Sequence, residues 1–121
     1  MKKKIIVVDD DLGILEVIKI ILEEEDYKVI TIDDGKMILK KIEDEMPDVV
    51  LLDIWMSGQD GGEIAKHLKA KEKTKSIPII MVSAKNDTEK VARESGADDF
   101  ITKPFDMDVL LEKVKKMSSR S

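Results

Sequence analysis

Val49-Val50-Leu51-Leu52-Asp53 is an unbroken apolar run that ends in a carboxylate. A strand with one wet face alternates apolar and polar residues, whereas a strand covered on both faces reads as a continuous apolar run. Residues 49–52 are of the second kind. So are Ile5-Ile6-Val7-Val8, which run straight into Asp9-Asp10-Asp11. Working outward, residues 28–32, 79–82 (introduced by Pro78) and 100–102 complete a set of five strands. Helical spacing fills the intervals. Ile14, Val17, Ile18, Ile21 and Leu22 share one stripe, and Met37, Ile38 and Ile42 mark a shorter helix closed before Pro47. Residues 62–70 bury Ile64, Ala65 and Leu68. Residues 88–95 form a brief helix stopped by Gly96, which suits a left-handed C-terminal position. Asp106 caps a last helix striped by Met107, Leu110, Leu111, Val114 and Met117. Each crossover is long enough to hold a helix, so the five strand–helix pairs predict an α/β fold, a parallel sheet between two helical layers.

Composition narrows the function. The chain has 121 residues, the size of one domain, with 42% hydrophobic and 39% charged residues. There is no cysteine and a single histidine, His67, so thiolate sites, disulfides and poly-histidine metal sites are excluded. No apolar stretch approaches the ~18 residues needed to span a bilayer. Lys2-Lys3-Lys4 leads into a strand rather than a secretory segment, which places the expected location in the cytoplasm. A net charge of −5 and only two arginines, Arg93 and Arg120, disfavour nucleic acid or membrane as the main partner. The expected boundaries are one domain over residues 1–117 and a short polar tail over 118–121. His67 lies among lysines 66, 69, 71, 73 and 75 and reads as a surface histidine. Gly61-Gly62 reads as a turn and helix entry.

The polar residues coincide in position. Asp9, Asp10 and Asp11 follow the first strand, Asp53 the third, Ser83 the fourth and Lys103 the fifth. In an open parallel sheet, ligands bind outside the carboxyl ends of the strands. Carboxylates gathered there repel one another and raise each other's pKa unless a cation intervenes. Magnesium accepts such oxygens and keeps water, leaving room for a phosphoryl oxygen, and manganese can substitute. For the three aspartates alone, helix capping and metal binding stand as equal readings. Asp53 and Lys103 tip the balance towards metal. Asp53 beside a cation is then a nucleophile for phosphorus. Lys103 supplies a point charge and Ser83 a hydroxyl, while the small Ala84 keeps the approach open.

Val7-Val8-Asp9-Asp10, Leu51-Leu52-Asp53-Ile54, Met56 through Gly61, Val82-Ser83-Ala84 and Lys103-Pro104-Phe105 together resemble the receiver domain of two-component response regulators. The five motifs come in order over essentially the whole chain. The resemblance implies a flavodoxin-like (βα)5 fold with strand order 2-1-3-4-5 and phosphorylation of Asp53 by a sensor histidine kinase or phosphotransfer protein. It implies magnesium on Asp10, Asp53 and the Trp55 backbone carbonyl, with Asp9 acting through water, and phosphoryl stabilisation by Ser83, Ala84 and Lys103. Ser83 and Phe100 fall on the family's switch pair, with output through the face made by the fourth helix, fifth strand and fifth helix to an unknown protein target. The Lys103-Pro104 bond matches the family's cis peptide. Trp55 and Lys85 fall where phosphoryl lifetime is tuned, and the bulk of both predicts slow autodephosphorylation.

Two departures stand out. Ser57 replaces a usual proline, and the interval from Ser83 to Phe100 is short for the family, which puts the output surface in question. The expected protein is a stand-alone signalling receiver rather than an enzyme acting on other molecules. A haloacid-dehalogenase-like aspartyl phosphatase is the rival: Asp9 and Asp11 give its Asp-x-Asp, and Asp9 would then carry phosphorus. A non-phosphorylated pseudo-receiver scaffold is a second rival. A flavin-binding flavodoxin fails, because three carboxylates stand where a flavin phosphate would sit.

Overall fold

The structure, a computed structural model, describes residues 2–56, 59–84, 86 and 88–119, with only the backbone of Gln59. The expectations placed on Ser57 and Lys85 lie outside the described residues.

Five strands and five helices alternate: β1 (Lys4–Val8), α1 (Leu12–Glu24), β2 (Lys28–Ile32), α2 (Ile38–Glu45), β3 (Val49–Asp53), α3 (Gly61–Ala70), β4 (Ile79–Ser83), α4 (Thr88–Ser95), β5 (Asp99–Thr102) and α5 (Met107–Ser118). A 3-10 turn, Gly35–Met37, precedes α2. The strands form one parallel sheet in the order β2-β1-β3-β4-β5, the flavodoxin-like arrangement that the family resemblance implies.

Alternation of side chains along each strand explains the unbroken apolar runs. Ile6, Val8, Val50, Leu52 and Met81 point to one face, where Ile38 and Ile42 of α2, Ile64 and Leu68 of α3 and Ala92 of α4 cover them. Ile5, Val7, Leu51, Ile80 and Val82 point to the other, against Leu15, Ile18 and Leu22 of α1 and Leu110, Val114 and Met117 of α5. Both faces are dry, so no position of β3 is left for a polar residue until the strand emerges at Asp53. Burying each such side chain contributes roughly 1.5–3 kcal/mol.

Local chemistry sets the helix ends. Asp11, Asp60 and Asp106 are the N-caps of α1, α3 and α5, each accepting backbone N–H groups of the first turn. Gly96 ends α4 at φ +82°, and the following Ala97 N–H returns to the Ala92 carbonyl at 3.0 Å, closing the helix as expected. At the far end, α5 runs through Ser118. Ser118 is buried, and its hydroxyl lies 3.3 Å from that of Tyr27. Between β3 and α3, where only a loop was expected, Trp55–Met56 and Gln59–Asp60 pair as a two-residue antiparallel ribbon.

Candidate functional site

Register brings the strand ends together. Val8 pairs with Leu52, so Asp9 and Asp53 emerge side by side from the two central strands. Asp53 lies opposite Val82, and the Ile54 N–H reaches the Val82 carbonyl at 3.2 Å. Ser83 pairs with Thr102, and the Lys103 N–H donates to the Ser83 carbonyl at 2.8 Å. The result is an open cleft of ≈ 290 Å³ lined by Asp9, Asp10, Asp11, Asp53, Trp55, Ser83, Ala84 and Lys103. All the residues expected at the strand ends meet there.

Within the cleft the three consecutive aspartates divide their work. Asp11 turns back to cap α1, its Oδ1 accepting from Gly13 at 2.9 Å and Ile14 at 3.2 Å. Asp9 is buried, and both its oxygens are engaged. Oδ1 accepts the Asp11 N–H at 2.9 Å, and Oδ2 meets the Lys103 ammonium at 2.8 Å. Asp10 is exposed, and Asp9, Asp10 and Asp53 each bring a carboxylate oxygen within 4.8 Å of the others. Capping thus falls to Asp11, while Asp9, Asp10 and Asp53 form a carboxylate group that could hold an ion.

Asp53 is the least comfortable carboxylate. Its side chain is only 7% exposed, and its Oδ1 accepts the Trp55 N–H at 3.3 Å. The Lys103 ammonium stands 4.0 Å from Oδ2, farther than it does from Asp9. Burial first, and then repulsion by Asp9, push the Asp53 pKa from 3.8 up to about 6, against the opposing pull of Lys103 and the Trp55 amide. The Lys103 ammonium serves Asp9 and stands 4.0 Å from Asp53, and the donor set fits a hard dication: clustered oxygen ligands and an open side. The Lys103-Pro104 peptide is cis, as expected.

Other expected residues lie at graded distances from this chemistry. Ser83 is buried, and the Thr88 hydroxyl approaches its carbonyl at 3.5 Å. Ala84 is exposed on the rim. Trp55 is 43% exposed and forms one wall. Phe100 does not reach the cleft. Half-buried on edge strand β5, it packs against the α2–α3–α4 side of the core. The Lys113 ammonium lies 5.9 Å from its ring centroid and 2.9 Å from the Asp99 carboxylate. Sequence reading missed how closely Gly61 packs on the Asp53 backbone. A Gly-Gly pair at the end of the loop that follows the Asp53 strand was the available signal.

Residues 5–115 match the response regulator receiver domain family. The chain belongs to that family. Its relatives include the alkaline phosphatase synthesis transcriptional regulatory protein PhoP of Bacillus subtilis, 42% identical over all of this chain and 50% of that protein. The phosphate regulon transcriptional regulatory protein PhoB of Escherichia coli is 34% identical over 99% of this chain and 53% of its own length. Among solved structures, chemotaxis protein CheY4 of Vibrio cholerae superposes with a TM-score of 0.88 at 26% identity, covering 97% of this chain and 99% of that one. The receiver domain of NtrX from Brucella abortus gives 0.86 at 32% identity, again over 97% and 99%. The receiver spans about half the length of the transcriptional regulators it matches. Receiver domains are signalling modules of two-component systems that work with sensor kinases, and they generally bind magnesium at an acidic pocket. The Asp9, Asp10 and Asp53 cluster is that pocket in this receiver. Among the described residues, no helix is long and apolar enough to cross a membrane.

Proposed function

We propose that Asp53 accepts a phosphoryl group from a phosphohistidine on a sensor histidine kinase or phosphotransfer protein. The observation that carries this reading is the Asp53 carboxylate, buried beside Asp9 and Lys103 at the mouth of the cleft, with a pKa near 6. At neutral pH it is ionised and nucleophilic, yet poorly compensated. An Asp53 oxygen attacks phosphorus in line, and the phosphorus–nitrogen bond to the donor imidazole breaks. Asp10, Asp53 and the Trp55 backbone carbonyl would hold magnesium or manganese, with Asp9 acting through water. That ion supplies charge neutralisation for the phosphoryl oxygens. The Lys103 ammonium reaches the phosphoryl group from the β5 side, the Ser83 hydroxyl donates to it, and Ala84 leaves the rim open. Both Asp9 oxygens are engaged, which argues against the rival in which Asp9 carries phosphorus.

In the same reading, Ser83 moves towards the phosphoryl group and Phe100 turns inward, altering the α4-β5-α5 face that contacts a downstream protein. For the receiver itself the partners are proteins in the cytoplasm rather than nucleic acid or lipid, consistent with a net charge of −5. The only chemistry it promotes is its own phosphorylation and dephosphorylation. Trp55 on one wall, together with Lys85, slows attack by water. The deciding experiment treats the protein with acetyl phosphate and magnesium and maps the adduct by mass spectrometry. The expected result is a single adduct on Asp53 that disappears in Asp53→Asn. An adduct on Asp9 would overturn the assignment in favour of the haloacid-dehalogenase type, and no adduct at all would leave a scaffold.

A further inference from the structure

Gly61 opens α3 in direct contact with the backbone that carries Asp53. Its N–H donates to the Ile54 carbonyl at 2.8 Å. A Cβ built on Gly61 would stand 2.4 Å from the Asp53 carbonyl oxygen, 2.7 Å from the Ile54 Cα and 3.1 Å from the Asp53 carbonyl carbon. All three are backbone atoms, which cannot yield by turning a rotamer. The same peptide is held from the other side, where the Ile54 N–H meets the Val82 carbonyl. The Asp53–Ile54 peptide is thus gripped between β4 and the first residue of α3. Gly62 stands in different surroundings. A Cβ there would meet the Val91 Cγ1 at 3.1 Å and the Asp60 Oδ1 at 3.2 Å, both ends of side chains. The two adjacent glycines, equivalent in sequence, are not equivalent in space.

We propose that Gly61 is a positioning residue for the phosphoacceptor: its bare Cα sets where the Asp53 carboxylate stands in the cleft. This rests on the reading of Asp53 given above. The carboxylate is attached to the gripped backbone through one carbon, so a displaced peptide carries it away from Asp9, Asp10 and Lys103. A misplacement of ~1 Å can cost ~100-fold in a reaction that depends on alignment.

The test compares Gly61→Ala, Gly62→Ala and Ile42→Val with the wild type, each confirmed as folded by urea melts. Ile42, on the buried face of α2 and away from the cleft, controls for lost stability. Three quantities are read: amide shifts of residues 53 and 54 in EDTA, magnesium affinity by Trp55 fluorescence, and the acetyl phosphate reaction rate at saturating magnesium. For Gly61→Ala, the expectation is displaced shifts without metal, at least fivefold weaker magnesium binding and at least tenfold slower phosphorylation. The two controls stay within twofold. The inference is overturned if folded Gly61→Ala also stays within twofold, or if Ile42→Val loses as much. Should Gly61→Ala not fold, the wild type decides. A slowly exchanging Gly61 amide and a Gly61–Ile54 Hα nuclear Overhauser effect support the grip, and their absence refutes it. If the wild type takes no phosphorus on Asp53, the phosphoacceptor reading fails, while the metal-free shifts and magnesium affinity still judge Gly61.

Discussion

Replacing Asp53 with asparagine should make the metal-free protein more stable at neutral pH, and the size of the gain follows from the cleft. The folded state holds the Asp53 pKa near 6, against 3.8 for the free carboxyl. A raised folded pKa means that the protonated form is the one that fits. Its contribution to stability is fully present below pH ~4 and is lost as pH rises through ~6. The shift of about two units sets a ceiling of ~3 kcal/mol above pH 7, at 1.36 kcal/mol per unit. Solvent in the open cleft screens part of this, leaving roughly 1–2 kcal/mol. Asparagine keeps an oxygen for the Trp55 N–H while discarding the charge. Urea melts in EDTA at pH 7.5 should therefore place Asp53→Asn above wild type, and thermal melts in the same buffer should show Tm raised by roughly 4–8 °C. At pH 4 the two should coincide. Magnesium at pH 7.5 should narrow the gap, because it binds and stabilises the wild type. A variant no more stable than wild type at pH 7.5, or a gain unaltered at pH 4, would refute the electrostatic reasoning.

Lys103→Met removes the ammonium bonded to Asp9 and strands a buried carboxylate, so metal-free stability should fall by about 1–3 kcal/mol. Phosphorylation by acetyl phosphate should slow at least tenfold, as read by the rate of adduct formation. Asp11→Ala should cost about 1 kcal/mol through the lost N-cap. It should leave magnesium affinity within twofold, since the Asp11 carboxylate faces Gly13 and Ile14. Trp55→Ala opens one wall of the cleft and should speed phosphate release from the phosphorylated protein several-fold. In the wild type, the fluorescence of this single tryptophan should change on adding magnesium.

Residues 49–52 and 5–8 were readable as strands because helices cover both faces of the sheet and nothing polar interrupts them. Parallel order then places every strand's carboxyl end on one edge, so Asp9, Asp10, Asp53, Ser83 and Lys103 could be grouped before any distance was known. The division of labour among Asp9, Asp10 and Asp11 was not readable. Three identical side chains in a row differ only in where the turn from β1 into α1 points them. The ribbon at Trp55–Met56 and Gln59–Asp60 escaped because two-residue strands carry no period. The contact of Ser118 with Tyr27, 91 residues earlier, is likewise invisible to local pattern. The role of Gly61 depends on the approach of two backbones, which residue type alone does not encode.

Because every strand runs the same way and a helix follows each one, all five helices begin at the edge where the acids gather. Peptide dipoles present their positive poles there, each equivalent to roughly half a unit charge, fading within a turn. Asp11, Asp60 and Asp106 each sit on one of these poles. The handedness-neutral fact of strand direction therefore offsets part of the mutual repulsion that a cluster of carboxylates would otherwise impose. A chain that is anionic overall can in this way present a locally softened potential to a visiting phosphate ester, and an antiparallel sheet, with helix starts divided between two edges, would offer no such counterweight.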